Sequence, residues 1–394
     1  MSIDVARARQ ETPGCDDVIH FNNAGMALPP LPVLDAQIQH LRREARIGGY
    51  EAAAEARPAL EHTYDAIARM LGCHRDEIAL VENATRAWDM VFYAFPFKPG
   101  DRILTCRAAY ASNFIACLQV ARRTGARIDV VPSDPHGQLS LEALAARLDE
   151  RVKLIVLTHV PTNGGLVNPA AEVGRLARDA GIPYLLDACQ SAGQMPLNVD
   201  ALGCTMLSAT GRKYLRGPRG TGFLYVRRDW IERLEPPLLD LHAATWVAPN
   251  RYEIRSDARR FETWEGYVAG KIALGVAVDY ALRLGLEAIQ QRVVRLAEHL
   301  RQRLGDLPGI HVHDLGPVRC GIVTFSADFA DATRIRDALR MHRINVSVST
   351  PSSTLLDATA RNLPDLVRAS VHYYNTGEEI EHLCDLLASL RGVT

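Results

Sequence analysis

Between residues 60 and 230 the chain alternates short runs rich in Val, Ile, Leu and Tyr with segments of helical period, and this alternation limits the fold more than any other feature. The runs fall at 77–82, 102–106, 127–132, 153–160, 183–189, 204–209 and 221–227. Strands separated by crossover helices build a mostly parallel, doubly wound sheet, so the expected class is α/β with a seven-stranded sheet. From 268 to 304 an amphipathic stretch with Ile272, Leu274, Val276, Ala277, Tyr280, Ala281 and Leu284 predicts one or two helices leading into a second unit. Residues 310–394 then mix strands at 321–326, 344–348 and 368–371 with helices at 332–342 and 376–390, a smaller α+β C-terminal domain. A large domain over 31–265 and a small one over 266–394 follow.

One lysine stands out against this frame. The run TGRKYLRGPRGTG at 210–222 sets Lys213 among glycines and arginines, on a short connection between two strands. Neighbouring cations lower a lysine's pKa, which suits an amine that bonds covalently to a carbonyl cofactor. Upstream, the strand 183–189 ends in Asp187, pointing at the crevice where parallel sheets bind ligands. Pyridoxal 5'-phosphate needs such a carboxylate against its ring nitrogen, and Gln190 follows as a donor to the ring hydroxyl. An Asp and then a Lys, separated by one strand, is a far more specific signal than either alone.

With these residues the chain resembles the class V aminotransferases of fold type I, a group that includes cysteine desulfurases, isopenicillin N epimerase and carbon–sulfur lyases. The resemblance spans nearly the whole chain, and it implies a fold type I pyridoxal phosphate enzyme whose residues 1–30 pack with the small domain. Ala84 and Thr85, opening a helix after the strand at 77–82, correspond to the phosphate-binding turn, where backbone amides and the Thr85 hydroxyl meet an anion. Tyr110 takes the position of the aromatic ring that stacks on the cofactor, where desulfurases carry His. Thr162 or Asn163, in the loop 159–169, faces the substrate, and Arg368 holds its carboxylate with a guanidinium fork. The resemblance further implies a homodimer in which the loop 260–267 reaches the partner's phosphate, with Glu265 falling where desulfurases have Thr.

Three departures bear on the reaction. Desulfurases carry a cysteine on a mobile loop ahead of the carboxylate-binding arginine; here the loop 349–354 reads STPSST, and a hydroxyl cannot replace a thiolate in persulfide formation. Arg212 stands where desulfurases have His before the lysine, and pairs with the cofactor phosphate together with Ser208 or Thr210. Gly48-Gly49-Tyr50 ahead of an Ala-rich helix, and the pattern at 212–220, look most like the hercynylcysteine sulfoxide lyases. The expected activity is β-elimination from a cysteine conjugate or its sulfoxide, giving pyruvate, ammonia and a sulfur product. Lys213 acts as general base, and Tyr110 or a loop residue protonates the leaving group. An aminotransferase or epimerase would use the same residues. A non-catalytic sensor on this fold has less support, because no helix-turn-helix or basic arm accompanies the domain. Residues 25–30, 48–51, 244–247 and 349–354 are the loops expected to contact the side chain, with His242 and Trp246 as further candidates.

The formal net charge of -1 supplies no field for nucleic acid, so the expected partners are a small amino acid and a second copy of the chain. No run of about eighteen apolar residues offers a membrane span, and residues 1–10 lack the apolar core of a signal peptide. Eight cysteines without paired or metal-type spacing fit reduced thiols in a cytoplasmic enzyme.

Overall fold

All seven runs form strands in the computed structural model, which describes residues 3–391. They are β1 (Ile78–Val81), β2 (Arg102–Cys106), β3 (Arg127–Val131), β4 (Val152–Thr158), β5 (Tyr184–Asp187), β6 (Met206–Thr210) and β7 (Gly222–Val226). Their order across one sheet is β1-β7-β6-β5-β4-β2-β3. Only β7 runs antiparallel to its neighbours, so the sheet is mostly parallel, as expected. Its central strands are buried on both faces and divide their side chains by the two-residue period of a strand: Leu186 and Leu207 enter one core, Leu185 and Met206 the other.

This topology aligns the carboxyl ends of β1, β2, β4, β5 and β6 on one side. Thr158, Asp187 and Ser208 sit level with one another on adjacent strands. The connecting helices begin there too: Asn83 caps Ala84–Phe92 by accepting from the Arg86 N–H at 2.9 Å, and Tyr110 precedes Ala111–Thr124.

The stretch from 268 to 304 is two helices, Val268–Leu284 and Leu286–Gly305, broken at Gly285, whose φ of 85° favours glycine. The first helix packs on Arg57–Leu71 and Leu31–Ile47, with Thr63 Oγ1 donating to the Lys271 carbonyl at 3.1 Å. That packing sets it against helices of the expected large domain. Beyond it, β10 (Ile310–Val312), β11 (Ile322–Ala327), β12 (Ser347–Ser349) and β13 (Leu366–Ser370) form an antiparallel sheet, order β10-β11-β13-β12. The N-terminal segment joins this unit through Ile19 and His20, paired with Ile344 and Asn345, and through an Asn22–Ser370 bridge. A hairpin of β8 (Ala244–Ala248) and β9 (Arg251–Ile254) forms a separate two-stranded sheet. All eight cysteines are free, and no helix among the described residues is long and apolar enough to cross a membrane.

Candidate active site

Lys213 lies in the turn between β6 and β7, held by hydrogen bonds from Gly211 N to Thr221 O (2.9 Å), Gly217 N to Gly211 O (2.8 Å) and Arg216 N to Lys213 O (2.8 Å). A Cβ at Gly222 would lie 2.7 Å from the Ala209 carbonyl and 2.9 Å from the Asn83 carbonyl carbon, so glycine there lets the lysine strand and the Asn83 turn meet. Lys213 is only 9% exposed. Burial lowers the pKa of its amine, and the charges of Arg212 and Arg368 lower it further, against opposing effects from Cys189 and Asp187. Both effects disfavour the charged form, the direction that suits a nucleophilic amine.

Asp187, at the end of β5, accepts from the Cys189 N–H at 2.9 Å and from Asn113 Nδ2 at 2.7 Å. Burial raises its pKa, while those two donors and Lys213 favour the carboxylate. Asn113 carries no sequence motif of its own. Its signal is spacing, because it stands three residues after Tyr110 on the first turn of one helix, which turns both side chains inward. The Tyr110 N–H donates to Thr158 Oγ1 at 3.2 Å.

A cavity of about 540 Å³ joins these groups, lined by Thr85, Tyr110, Asp187, Thr210, Arg212 and Lys213. Ala84 and Ser208 also border it, and the buried Ser208 hydroxyl has no hydrogen-bond partner. Thr210 Oγ1 donates to Thr221 O at 3.2 Å, and Arg212 donates to the Gly25 carbonyl. A larger cleft, of about 880 Å³, opens at the other end of the strands near Phe95, Ile182 and Trp230. None of its residues is a buried titratable group, and the smaller cavity is where the chemistry gathers.

The remaining candidates form a string beside that cavity. Arg368, on β13, donates to Thr162 Oγ1 at 2.8 Å, to the Thr162 carbonyl at 3.2 Å, to Ser347 Oγ at 3.1 Å and to Asn22 Oδ1 at 3.4 Å. Gln190 Nε2 reaches the Ala24 carbonyl at 3.1 Å and Thr162 Oγ1 at 3.4 Å, leaving its buried Oε1 without a partner. Asn163 turns instead to the turn at 350–354, donating to Thr354 Oγ1 at 3.2 Å. Trp246 is 78% exposed, and neither it nor residues 48–51 line the cavity of this chain. His242 approaches the buried Glu262 carboxylate at 3.3 Å. Sequence reasoning missed Asn22 and Ala24, which only the fold brings to the site, and Cys189, which lines the same cavity as Lys213.

The family model of the class-V aminotransferases matches residues 19–383. The chain belongs to that family. It is a pyridoxal 5'-phosphate enzyme of fold type I, and the site fits the group. Asp187 matches a ring nitrogen, the orphaned Ser208 hydroxyl and the start of Ala84–Phe92 match a phosphate, and Lys213 matches the carbonyl carbon. A probable cysteine desulfurase of Xylella fastidiosa is 32% identical over 95% of this chain and 91% of its own length. The apo structure of a cysteine desulfurase from Thermococcus onnurineus superposes with a TM-score of 0.92 at 26% identity, covering 100% of this chain and 99% of that one. The cystine C–S lyase C-DES, in complex with its reaction product cysteine persulfide, superposes with a TM-score of 0.84 at 25% identity, covering 96% of this chain and 99% of that one.

Proposed function

We propose that this protein is a carbon–sulfur lyase that eliminates the β-substituent of a cysteine conjugate or its sulfoxide, working as a cytoplasmic homodimer. The observation that carries this reading is a buried Lys213 in one cavity with Asp187, its pKa lowered by burial, combined with a turn at 349–354 that holds hydroxyls and no thiol. Relatives named as desulfurases and a neighbour named as a cystine lyase support cleavage of a carbon–sulfur bond.

The cofactor supplies, when bound, an electron sink for the negative charge that develops at the substrate's α-carbon. Asp187 would accept a hydrogen bond from its ring nitrogen, Gln190 would contact its ring hydroxyl, and Tyr110 would stack on its face. Ala84, Thr85, Ser208 and Thr210, which line the same cavity, would hold the phosphate. Arg368 fixes the substrate carboxylate, with Thr162 and Asn163 on the same side. Lys213 Nζ then takes the α-proton. The electron pair of the Cα–H bond becomes the Cα–Cβ double bond, and the pair of the Cβ–S bond leaves on sulfur, which Tyr110 or a hydroxyl of the 349–354 turn protonates. The enamine left behind hydrolyses to pyruvate and ammonia.

The test is to load the purified protein with cofactor, record its absorbance and assay pyruvate and ammonia from an S-substituted cysteine sulfoxide. The expected outcome is a yellow protein that releases both, with Lys213→Ala losing the band and the activity. A yellow protein that only exchanges the α-proton or consumes a keto acid is an epimerase or aminotransferase. One that turns over no amino acid is a sensor.

A further inference from the structure

Arg216 is a charged side chain taken almost wholly out of water, at 1% exposed, and the steps derived above leave it unused. Its guanidinium donates to the Leu28 carbonyl at 2.7 Å, to Tyr373 OH at 2.5 Å and to Thr12 Oγ1 at 2.5 Å. The rings of Tyr374, Tyr373 and Tyr280 surround it, their centroids 4.6, 5.2 and 5.8 Å from its central carbon. No carboxylate pairs with it among the described residues, so a carbonyl, two hydroxyls and ring faces carry the charge. Burial works against that charge, yet the tyrosines outweigh it and its pKa lies above the ordinary value. The backbone of Arg216 is in the left-handed region, at φ 62°, which a residue with a Cβ disfavours.

An ordinary core position calls for neither a buried cation without a counter-charge nor a left-handed backbone. Both stand three residues after Lys213, in the turn that carries it, where the Arg216 N–H donates to the Lys213 carbonyl at 2.8 Å. The guanidinium reaches Tyr373, in the segment that follows β13 and therefore Arg368. A second tie joins the same two segments: His372 Nε2 donates to the Tyr214 carbonyl at 3.0 Å, and its Nδ1 accepts from the Tyr373 N–H at 2.8 Å. The lysine turn and the arginine strand thus share one anchor. Every contact of that anchor is made by the chain itself, and Arg216 does not line the cavity.

An α-proton passes to Lys213 only if the amine stands at the Cα–H bond of a substrate whose carboxylate Arg368 holds. A misplacement of about 1 Å between such groups costs on the order of a hundredfold in rate. We propose that Arg216 is a positioning residue, which through Tyr373 sets the Lys213 turn at a fixed distance from Arg368 and so aims the amine at the α-hydrogen. This rests on the functional reading only in taking Lys213 as the base.

The test compares two tyrosines around Arg216 in the holoenzyme. Tyr373→Phe removes the hydroxyl that Arg216 meets; Tyr280→Phe removes one that meets Glu11, at 2.6 Å, and keeps its ring beside Arg216. Exchange of the α-hydrogen of L-alanine with deuterated water isolates the Lys213 step, because alanine has no β-substituent to lose. The circular dichroism of the bound cofactor's absorbance band reports the torsion at Lys213 with no reaction at all. Tyr373→Phe is expected to slow exchange at saturating alanine about tenfold or more, to keep the half-saturating concentration within about threefold, and to change the dichroism. Tyr280→Phe, which also loses a short hydrogen bond, leaves exchange and dichroism as in the natural protein. Arg216→Lys keeps the charge without the fork and loses more exchange than Tyr373→Phe; the tyrosine pair decides the matter even if that protein does not fold. Natural exchange and dichroism in Tyr373→Phe overturn the proposal, as does equal slowing in both tyrosine variants, the behaviour of a merely structural core. Alanine exchange that follows these expectations, with no pyruvate from an S-substituted cysteine, supports Arg216 and fails the lyase reading alone. No exchange by the natural protein removes Lys213 as the base, and the proposal with it.

Discussion

At the scale of single residues, the question that separates a lyase from a desulfurase is which thiol, if any, can attack. Cys189 lines the cavity, yet burial raises its pKa against the opposing effect of Lys213, and a protonated thiol is a poor nucleophile. The account therefore predicts that Cys189→Ala keeps kcat for pyruvate release within about threefold of the natural protein; a loss of several orders of magnitude would make the thiol a participant. Individual residues were legible in the sequence where the chemistry demands a residue type at a strand end: Lys213, Asp187, Thr85 and Tyr110 all meet in one cavity. Asn22 and Ala24 were not. They reach Arg368 and Gln190 from the far end of the chain, and no local pattern records a contact made across 346 residues.

At the scale of elements, the small-domain sheet is tied together by a buried ion pair. Arg301 Nε lies 2.7 Å from Asp314 Oδ2, with side chains 4% and 0% exposed. Arg301 also donates to the carbonyls of Cys320 and Ile322, while Asp314 Oδ1 accepts from the N–H and hydroxyl of Thr324. Thr324 on β11 is paired with Arg368 on β13. Breaking such a pair strands a buried charge at a cost of about 3–5 kcal/mol. Asp314→Ala should lose that much stability in urea denaturation, and a loss below about 1 kcal/mol would show the pair to be incidental. Six of the seven large-sheet strands could be read from sequence because each is a mostly buried apolar run between turn residues; the edge strand Arg127–Val131 is only partly buried and shows through its β-branched residues. The hairpin of β8 and β9 could not: its residues are mostly exposed, so burial imposes no alternation on it, and pairing alone defines it.

At the scale of the whole molecule, the expected second copy has a candidate contact. The loop 260–267 is anchored at its root by the buried Glu262, which accepts from Tyr64 OH and the Leu80 N–H at 2.8 Å, and by the Trp264 N–H donating to Asp240 at 2.7 Å. Beyond that root Trp264 is 54% exposed. A large aromatic on a fixed base is the kind of group that dominates an interface. Trp264→Ala is predicted to weaken the dimer by about 2 kcal/mol, roughly thirtyfold in dissociation constant, and to lower cofactor affinity with it. Unchanged sedimentation and unchanged cofactor binding would remove the loop from the site.

The most direct test of the central claim is the carbon product. The holoenzyme is incubated with an S-substituted cysteine and with free cysteine, and pyruvate and alanine are both quantified. Elimination driven by Lys213 without an attacking thiol predicts pyruvate matched by ammonia, with no alanine from either compound. Alanine formed from cysteine, with sulfur retained on the protein as persulfide, would contradict the account and make the chain a desulfurase.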